Sequence, residues 1–147
     1  MKANVIWKDG MEFDGLVDSH TISMDAKSPI GKNKAATPKE LVALGLGGCT
    51  AMDVIALLKK YKQPLKKLNV AIEIQSSSGT HPVVFEKSAL AFHVEGDIEV
   101  ERLIEAVHLS QTKYCGVSAM LSKALPIEYE VFLNGVKVGT GKANFQS

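Results

Sequence analysis

The stretch TPKELVALGLGGCTAMDVIALLKK, Thr37 to Lys60, decides the fold. Thr37 is a favourable N-cap, Pro38 suits the first helical position, and Glu40, three residues after the cap, completes a capping box. The spacing predicts a helix from Pro38 to about Tyr61. Between Leu41 and Leu58 the only charged residue is Asp53, so the helix is apolar nearly all round and is expected to be buried on most faces. Gly45, Gly47 and Gly48 each weaken a helix by up to about 1 kcal/mol relative to alanine, which predicts a close approach by another backbone or a ligand beside them. Cys49 follows directly. Lys59, Lys60 and Lys62 suit the negative end of the macrodipole, Pro64 stops the helix, and the basic cluster reads as a solvated helix end.

Upstream, Val5 and Trp7, then Met11 and Phe13, alternate with polar residues across Asp9-Gly10, a hairpin signal, and His20 to Met24 continues as a third strand. Asp25 to Ala36 carries Ser28-Pro29, Gly31 and three lysines and reads as a polar loop. Downstream, Leu68, Val70, Ile72 and Ile74 form a strand, the run from Ser76 to Pro82 turns the chain, and Val83 to Val94 returns. Val100, Leu103, Ile104, Val107 and Gln111 trace one face of an amphipathic helix whose pattern breaks at Thr112 to Tyr114. Gly116 to Lys123 reads as a short helix with Cys115 at its N-terminus. Ile127, Tyr129, Val131 and Leu133 alternate into Asn134-Gly135, and Val136 and Val138 return, with a frayed tail expected from Gly139. The class is α+β, with antiparallel sheets around a long buried central helix. One chain offers little material to cover a helix that is apolar on all sides, so a homodimer is expected.

The chain has 147 residues and 46% hydrophobic content, which suits a single domain spanning 1–147. Its formal net charge of +1 gives no field that would select nucleic acid or an anionic membrane. Met1 to Asp9 lacks the apolar core of a signal peptide, and no stretch is expected to approach the roughly 18 uncharged apolar residues of a membrane span. A cytoplasmic protein with a small-molecule or protein partner is expected.

Two cysteines are too few for a disulfide scaffold and lack zinc-finger spacing. His20, His81, His93 and His108 show no HxxxH or His-Cys spacing, and His108 reads as a core residue of the second helix. No metal and no cofactor is expected. Cys115, at a helix start beside Lys113, has the setting that lowers a thiol pKa, whereas Cys49 lies about three turns inside its helix, beyond the reach of the dipole. Either cysteine also fits as a small buried hydrophobe. Asp53, a carboxylate in an apolar helix, needs a partner; Lys113 or Tyr114, reached across a dimer, are candidates.

The segments from Glu40 to Asp53, with Cys49 after Gly47-Gly48, and from Lys113 to Ser118, with Cys115 before Gly116, resemble the two cysteine motifs of the osmotically inducible protein C and organic hydroperoxide resistance family. The resemblance extends over nearly the whole chain in element order and length. It implies an intertwined homodimer with two central helices wrapped by sheets and a site at each subunit junction. It also implies a peroxidase in which Cys49 attacks a small organic hydroperoxide, Cys115 condenses the sulfenic acid to a disulfide, and a dithiol reductant resets the pair. The alternatives are a dimeric protein that binds an apolar ligand in the family pocket, and a redox sensor. Peroxidatic members use an N-terminal arginine and a glutamate directly after the helix-starting proline. Here Lys39 follows Pro38, Glu40 is the candidate carboxylate one residue later, and the only arginine of the chain is Arg102. A lysine from the 27–39 region supplies the charge of a guanidinium without its two-pronged geometry.

Overall fold

A computed structural model describes residues 1–79 and 81–145, which form two compact units, Met1–Ala43 and Leu44–Ser147. In the first unit, β1 (Ala3–Asp9), β2 (Glu12–Val17) and β3 (His20–Met24) make an antiparallel sheet in that order. Trp7 faces Phe13 across the first hairpin, and Gly10 takes the positive φ of +53° that its turn requires. The loop after β3 is organised by Asp25, which is buried and accepts hydrogen bonds from the backbone N–H groups of Ala26 (2.7 Å), Lys32 (3.1 Å) and Lys34 (3.0 Å). Those amides, Lys34 foremost, hold its carboxyl below the usual aspartate range against the opposing effect of burial. A side chain at Gly31 would collide with the Ala26 carbonyl and the Asp25 carboxylate.

Helix α1 (Pro38–Lys60) starts where its capping box predicts. The Thr37 N–H donates to Glu40 Oε2 at 2.8 Å and the Glu40 N–H donates to Thr37 Oγ1 at 3.3 Å. In the second unit β4 (Leu65–Ser76), β5 (Phe85–Gly96), β6 (Ile127–Leu133) and β7 (Val136–Lys142) form a sheet in sequence order. The α+β class of the sequence reading holds, with one pair that alternation does not reveal: β5 and β6 run parallel, Phe92 beside Val131. The reason is the crossover between them, which consists of α2 (Val100–Leu109), a π-helical segment Ser110–Tyr114 and α3 (Gly116–Leu121) and carries the chain back to the end from which β5 began. The tail does not fray at Gly139; β7 continues to Lys142, which pairs with Glu128 in register and through a 3.0 Å ion pair.

Leu46, Val54 and Leu58 of α1 belong to the core with Phe92 and Val94 of β5, Leu103 and Val107 of α2, and Val131 of β6. Phe92 meets Tyr129 edge to face, with centroids 6.3 Å apart. None of the three glycines in α1 meets the backbone expected beside it: a Cβ at Gly47 would run into the Ile72 side chain of β4, while one at Gly45 or Gly48 would meet open space.

Burial of α1 on most faces does not hold within one chain. Leu46, Gly47, Thr50, Val54, Leu57 and Leu58 face inward, whereas Leu44 is 60% and Met52 73% exposed. A helix packed on one sheet and one helix layer is covered on one side only. By length and composition α1 is also long and apolar enough to cross a membrane, though not as an uncharged stretch, with a third of its apolar window buried. Asp53 is a single charge in 18 residues and does not lower the hydropathy enough to break the window.

Candidate thiol site

The site is built from one turn of α1 and the junction between the π-helical segment and α3. Cys49 and Asp53 are four residues apart on α1 and so share a face. Cys115 is the N-cap residue of α3, extended at φ −70° and ψ 101°, and its sulfur accepts a hydrogen bond from the Ser118 N–H at 3.3 Å. The thiol sulfurs of Cys49 and Cys115 and a carboxylate oxygen of Asp53 all lie within 4.8 Å of one another. Both cysteines are free thiols; Cys49 is partly exposed and Cys115 is fully buried.

The expected activation of Cys115 by the start of its helix does not occur. Burial pushes its thiol up, from 9.0 to about 11, and outweighs the opposing pull of Ser118; the neighbouring Cys49 raises it further. Removing the sulfur from water penalises a thiolate more than one N–H bond from a helix of six residues stabilises it.

Asp53 does find a partner, but within its own chain and not at Lys113 or Tyr114. Ser110 Oγ, at the start of the π-helical segment, donates to Asp53 Oδ2 at 2.9 Å. Behind it, Thr50 Oγ1 and Ser110 Oγ are 2.7 Å apart, and Gln111 Nε2 donates to Thr50 Oγ1 at 2.8 Å. The direction of the chain follows from donor counting. The single Ser110 hydrogen goes to the carboxylate and Gln111 supplies Thr50, so the Thr50 hydroxyl donates to Ser110. A one-way relay from amide to carboxylate therefore crosses the buried contact between α1 and the π-helical segment, where Thr50, Ser110 and Gln111 are inaccessible to water. The π-helical turn places Ser110 and Gln111 side by side against Thr50, a use typical of such irregularities near functional sites. Lys113 instead lies over the Tyr114 ring, 5.3 Å from its centroid.

Sequence reasoning missed Thr50, Ser110, Gln111 and Ser118. A signal was present in Thr50 and Gln111, polar residues on otherwise apolar faces, since buried polar groups require partners. Glu40 is taken up by its capping box and by Lys27, whose Nζ is 2.6 Å from Oε1, and Lys27 foremost holds its carboxyl below the usual range. Arg102 pairs with Glu105 at 3.0 Å and lies over the Tyr61 ring. His108 is exposed and not a core residue, and His93 stacks on Phe132, with centroids 4.7 Å apart.

Residues 31–130 match the family model described as OsmC-like protein. The chain belongs to this family. It is 37% identical over 135 residues to Protein YhfA of Escherichia coli K12, covering 89% of this chain and 98% of that protein. A hypothetical protein from Aquifex aeolicus VF5 shares the fold at a TM-score of 0.77 and 26% identity, over 90% of this chain and 96% of that one. An organic hydroperoxide resistance protein from Elizabethkingia anophelis aligns at a TM-score of 0.67 and 18% identity, over 91% and 97% of the two chains. In the OsmC-like sequence described here, both cysteines fall inside the family match, as do Glu40 and Asp53.

Proposed function

We propose that this OsmC-like protein is a thiol-dependent peroxidase for small organic hydroperoxides, with Cys49 as the peroxidatic and Cys115 as the resolving cysteine. The observation that carries this reading is the approach of the two sulfurs to within 4.8 Å. A disulfide needs about 2.05 Å, so its formation requires the two sulfurs to close the remaining gap. The partly exposed thiol is the one open to substrate, and the buried one is held protonated until it is needed. The Cys49 thiolate attacks the outer oxygen of the O–O bond, the alkoxide leaves and takes a proton as the alcohol, and Cys49 becomes a sulfenic acid. The Cys115 thiol then displaces hydroxide, which departs as water with the thiol proton, and an external dithiol returns both sulfurs to thiols by exchange.

Glu40 enters as a catalytic-site carboxylate paired with Lys27, the two together replacing the arginine and glutamate of peroxidatic relatives. Lys27 Nζ lies 2.6 Å from Glu40 Oε1, so the ammonium and the carboxylate come as a pair. A single ammonium offers one point of charge in place of a bidentate fork, which predicts slower chemistry than an arginine-bearing relative. The bare apolar stripe of α1 at Leu44 and Met52 supports a homodimer, and the family match over residues 31–130, which takes in part of both compact units, supports one OsmC-like domain.

The test is the loss of free thiol in wild type, Cys49→Ser and Cys115→Ser after addition of cumene hydroperoxide or hydrogen peroxide. Wild type is expected to lose two thiols per peroxide, faster with the organic one. Cys115→Ser should stop at a sulfenic acid and Cys49→Ser should not react. Rates equal to those of free cysteine would overturn the reading. Glu40→Gln keeps the capping box and loses the charge, so its oxidation rate should fall about 100-fold, at the low end of the range for positioned acid–base groups. An unchanged rate would remove Glu40 from the site.

A second reading, binding of an apolar ligand, is favoured by a cavity of about 320 Å³ in the first unit lined chiefly by Val5, Met11, Phe13, Met24 and Pro38. It predicts retention of a co-purified apolar molecule by protein whose thiols react sluggishly.

A further inference from the structure

The sequence shows no metal-binding spacing, yet the fold brings three potential ligands from two distant segments to one point. We infer that Cys49, Asp53 and Cys115 form a site for a thiophilic divalent cation of the Zn²⁺ class, with a fourth position left for water or an exogenous thiol.

Geometry is the first support. In a tetrahedral zinc site with Zn–S of about 2.3 Å and Zn–O of about 2.0 Å, the ligand atoms are separated by ~3.5 to 3.8 Å. The three donors here already lie within 4.8 Å of one another, so closing on a cation takes a movement of about 1 Å per donor. Cys49 and Asp53 sit four residues apart on α1, the same i, i+4 relation that lets two helical side chains grip one zinc ion in HExxH motifs. Cys115 closes the triangle from the N-cap of α3.

The surroundings of Asp53 are the second support. A metal-ligating carboxylate is characteristically oriented by an outer hydrogen bond. Ser110 Oγ supplies one to Oδ2, and the relay through Thr50 and Gln111 holds Ser110 in place. Among the described residues no lysine or arginine forms an ion pair with Asp53, so a cation would complete its charge balance. Two sulfurs with one oxygen form a soft donor set that selects zinc-like ions over magnesium or calcium.

Binding proceeds as a cation replacing two thiol protons: M²⁺ plus two S–H groups and one carboxylate give a complex of net charge −1 and release two protons to solvent. No electron is transferred. The metal-bound and disulfide forms use the same sulfurs and exclude each other, so a cation would shield the pair from oxidation; that consequence, unlike the site itself, rests on the peroxidase reading.

The experiment is titration of the reduced, full-length protein with Co²⁺ and then Zn²⁺ in the absence of any hydroperoxide, so that its result is independent of peroxidase activity. One Co²⁺ per chain is expected, with an intense tetrahedral d–d spectrum and a near-ultraviolet thiolate charge-transfer band, both erased by equimolar Zn²⁺. Cys49→Ser and Cys115→Ser should each halve the charge-transfer intensity, and the double variant should abolish it. Asp53→Asn should raise Kd at least tenfold while keeping the band. Ser110→Ala leaves all three donors in place, so the band should persist with Kd raised 10- to 100-fold; it also serves if Asp53→Asn does not fold. Absence of saturable 1:1 binding, a band that survives the double variant, or an unchanged Kd in both Asp53→Asn and Ser110→Ala would each overturn the inference.

Discussion

Replacing Thr50 by valine isolates the energetic role of the relay behind Asp53. The side chains are nearly isosteric, so the change removes one hydroxyl from a position with no exposed surface. Gln111 Nε2, which donates to that hydroxyl at 2.8 Å, is left buried without its acceptor, at about 1–3 kcal/mol. Ser110 loses the bond at 2.7 Å, a net contribution of about 1 kcal/mol, and the added methyl returns about 0.8 kcal/mol through burial. The expected net loss is ~2 kcal/mol. With a urea dependence of about 2 kcal/mol per molar, typical of small proteins, the unfolding midpoint falls by ~1 M. The assay is urea unfolding followed by far-ultraviolet circular dichroism at one fixed protein concentration, because association with a second copy would make the midpoint concentration-dependent. Thr50→Ser is the control: it keeps the hydroxyl, loses a methyl, and should cost about 1 kcal/mol. If Thr50→Val proved as stable as wild type, or more stable than Thr50→Ser, the relay would contribute nothing and the donor assignment would be wrong.

Three other expectations concern different parts of the molecule. The Cys115 thiol is raised in the folded state to about 11 from 9.0, so the stability it contributes is fully present below pH 9. It is lost as pH rises from 9 through 11, because the unfolded chain ionises first; the loss is of order 2 kcal/mol. Unfolding measured over that range should slope downward in wild type and less steeply in Cys115→Ala, and equal slopes would contradict it. Gly47→Ala drives a methyl into Ile72 at about 1–3 kcal/mol, offset by up to about 1 kcal/mol of helix propensity, so it should destabilise by up to about 2 kcal/mol, with part of the loss recovered by Ile72→Val, which trims the colliding Cδ1 atom; thermal unfolding without any such recovery would point to another cause. Met52→Lys places a charge on the bare stripe of α1, 73% exposed in the single chain, and should shift sedimentation from dimer to monomer. A dimer of unchanged affinity would show that this stripe is not the interface.

Local patterning carried most of the architecture. The capping box at Thr37 and Glu40 set the start of α1, Asn134-Gly135 set the last hairpin, and the alternation of Ile127, Tyr129, Val131 and Leu133 appears directly as buried residues of β6. These are contacts between residues close in the chain, so their signals are short-range and readable in order. The two cysteines were likewise visible, because their residue types and flanking glycines stand out in the sequence. What only the tertiary structure decided is how distant segments meet. The parallel pairing of β5 and β6 depends on where a crossover of two helices and a π-helical turn returns the chain, which no alternation encodes. The partner of Asp53 turned out to be Ser110, 57 residues away and in the same chain. The ionisation of Cys115 was set by burial, a property of everything packed around it, and that outweighed the helix start which its own neighbours in sequence had advertised.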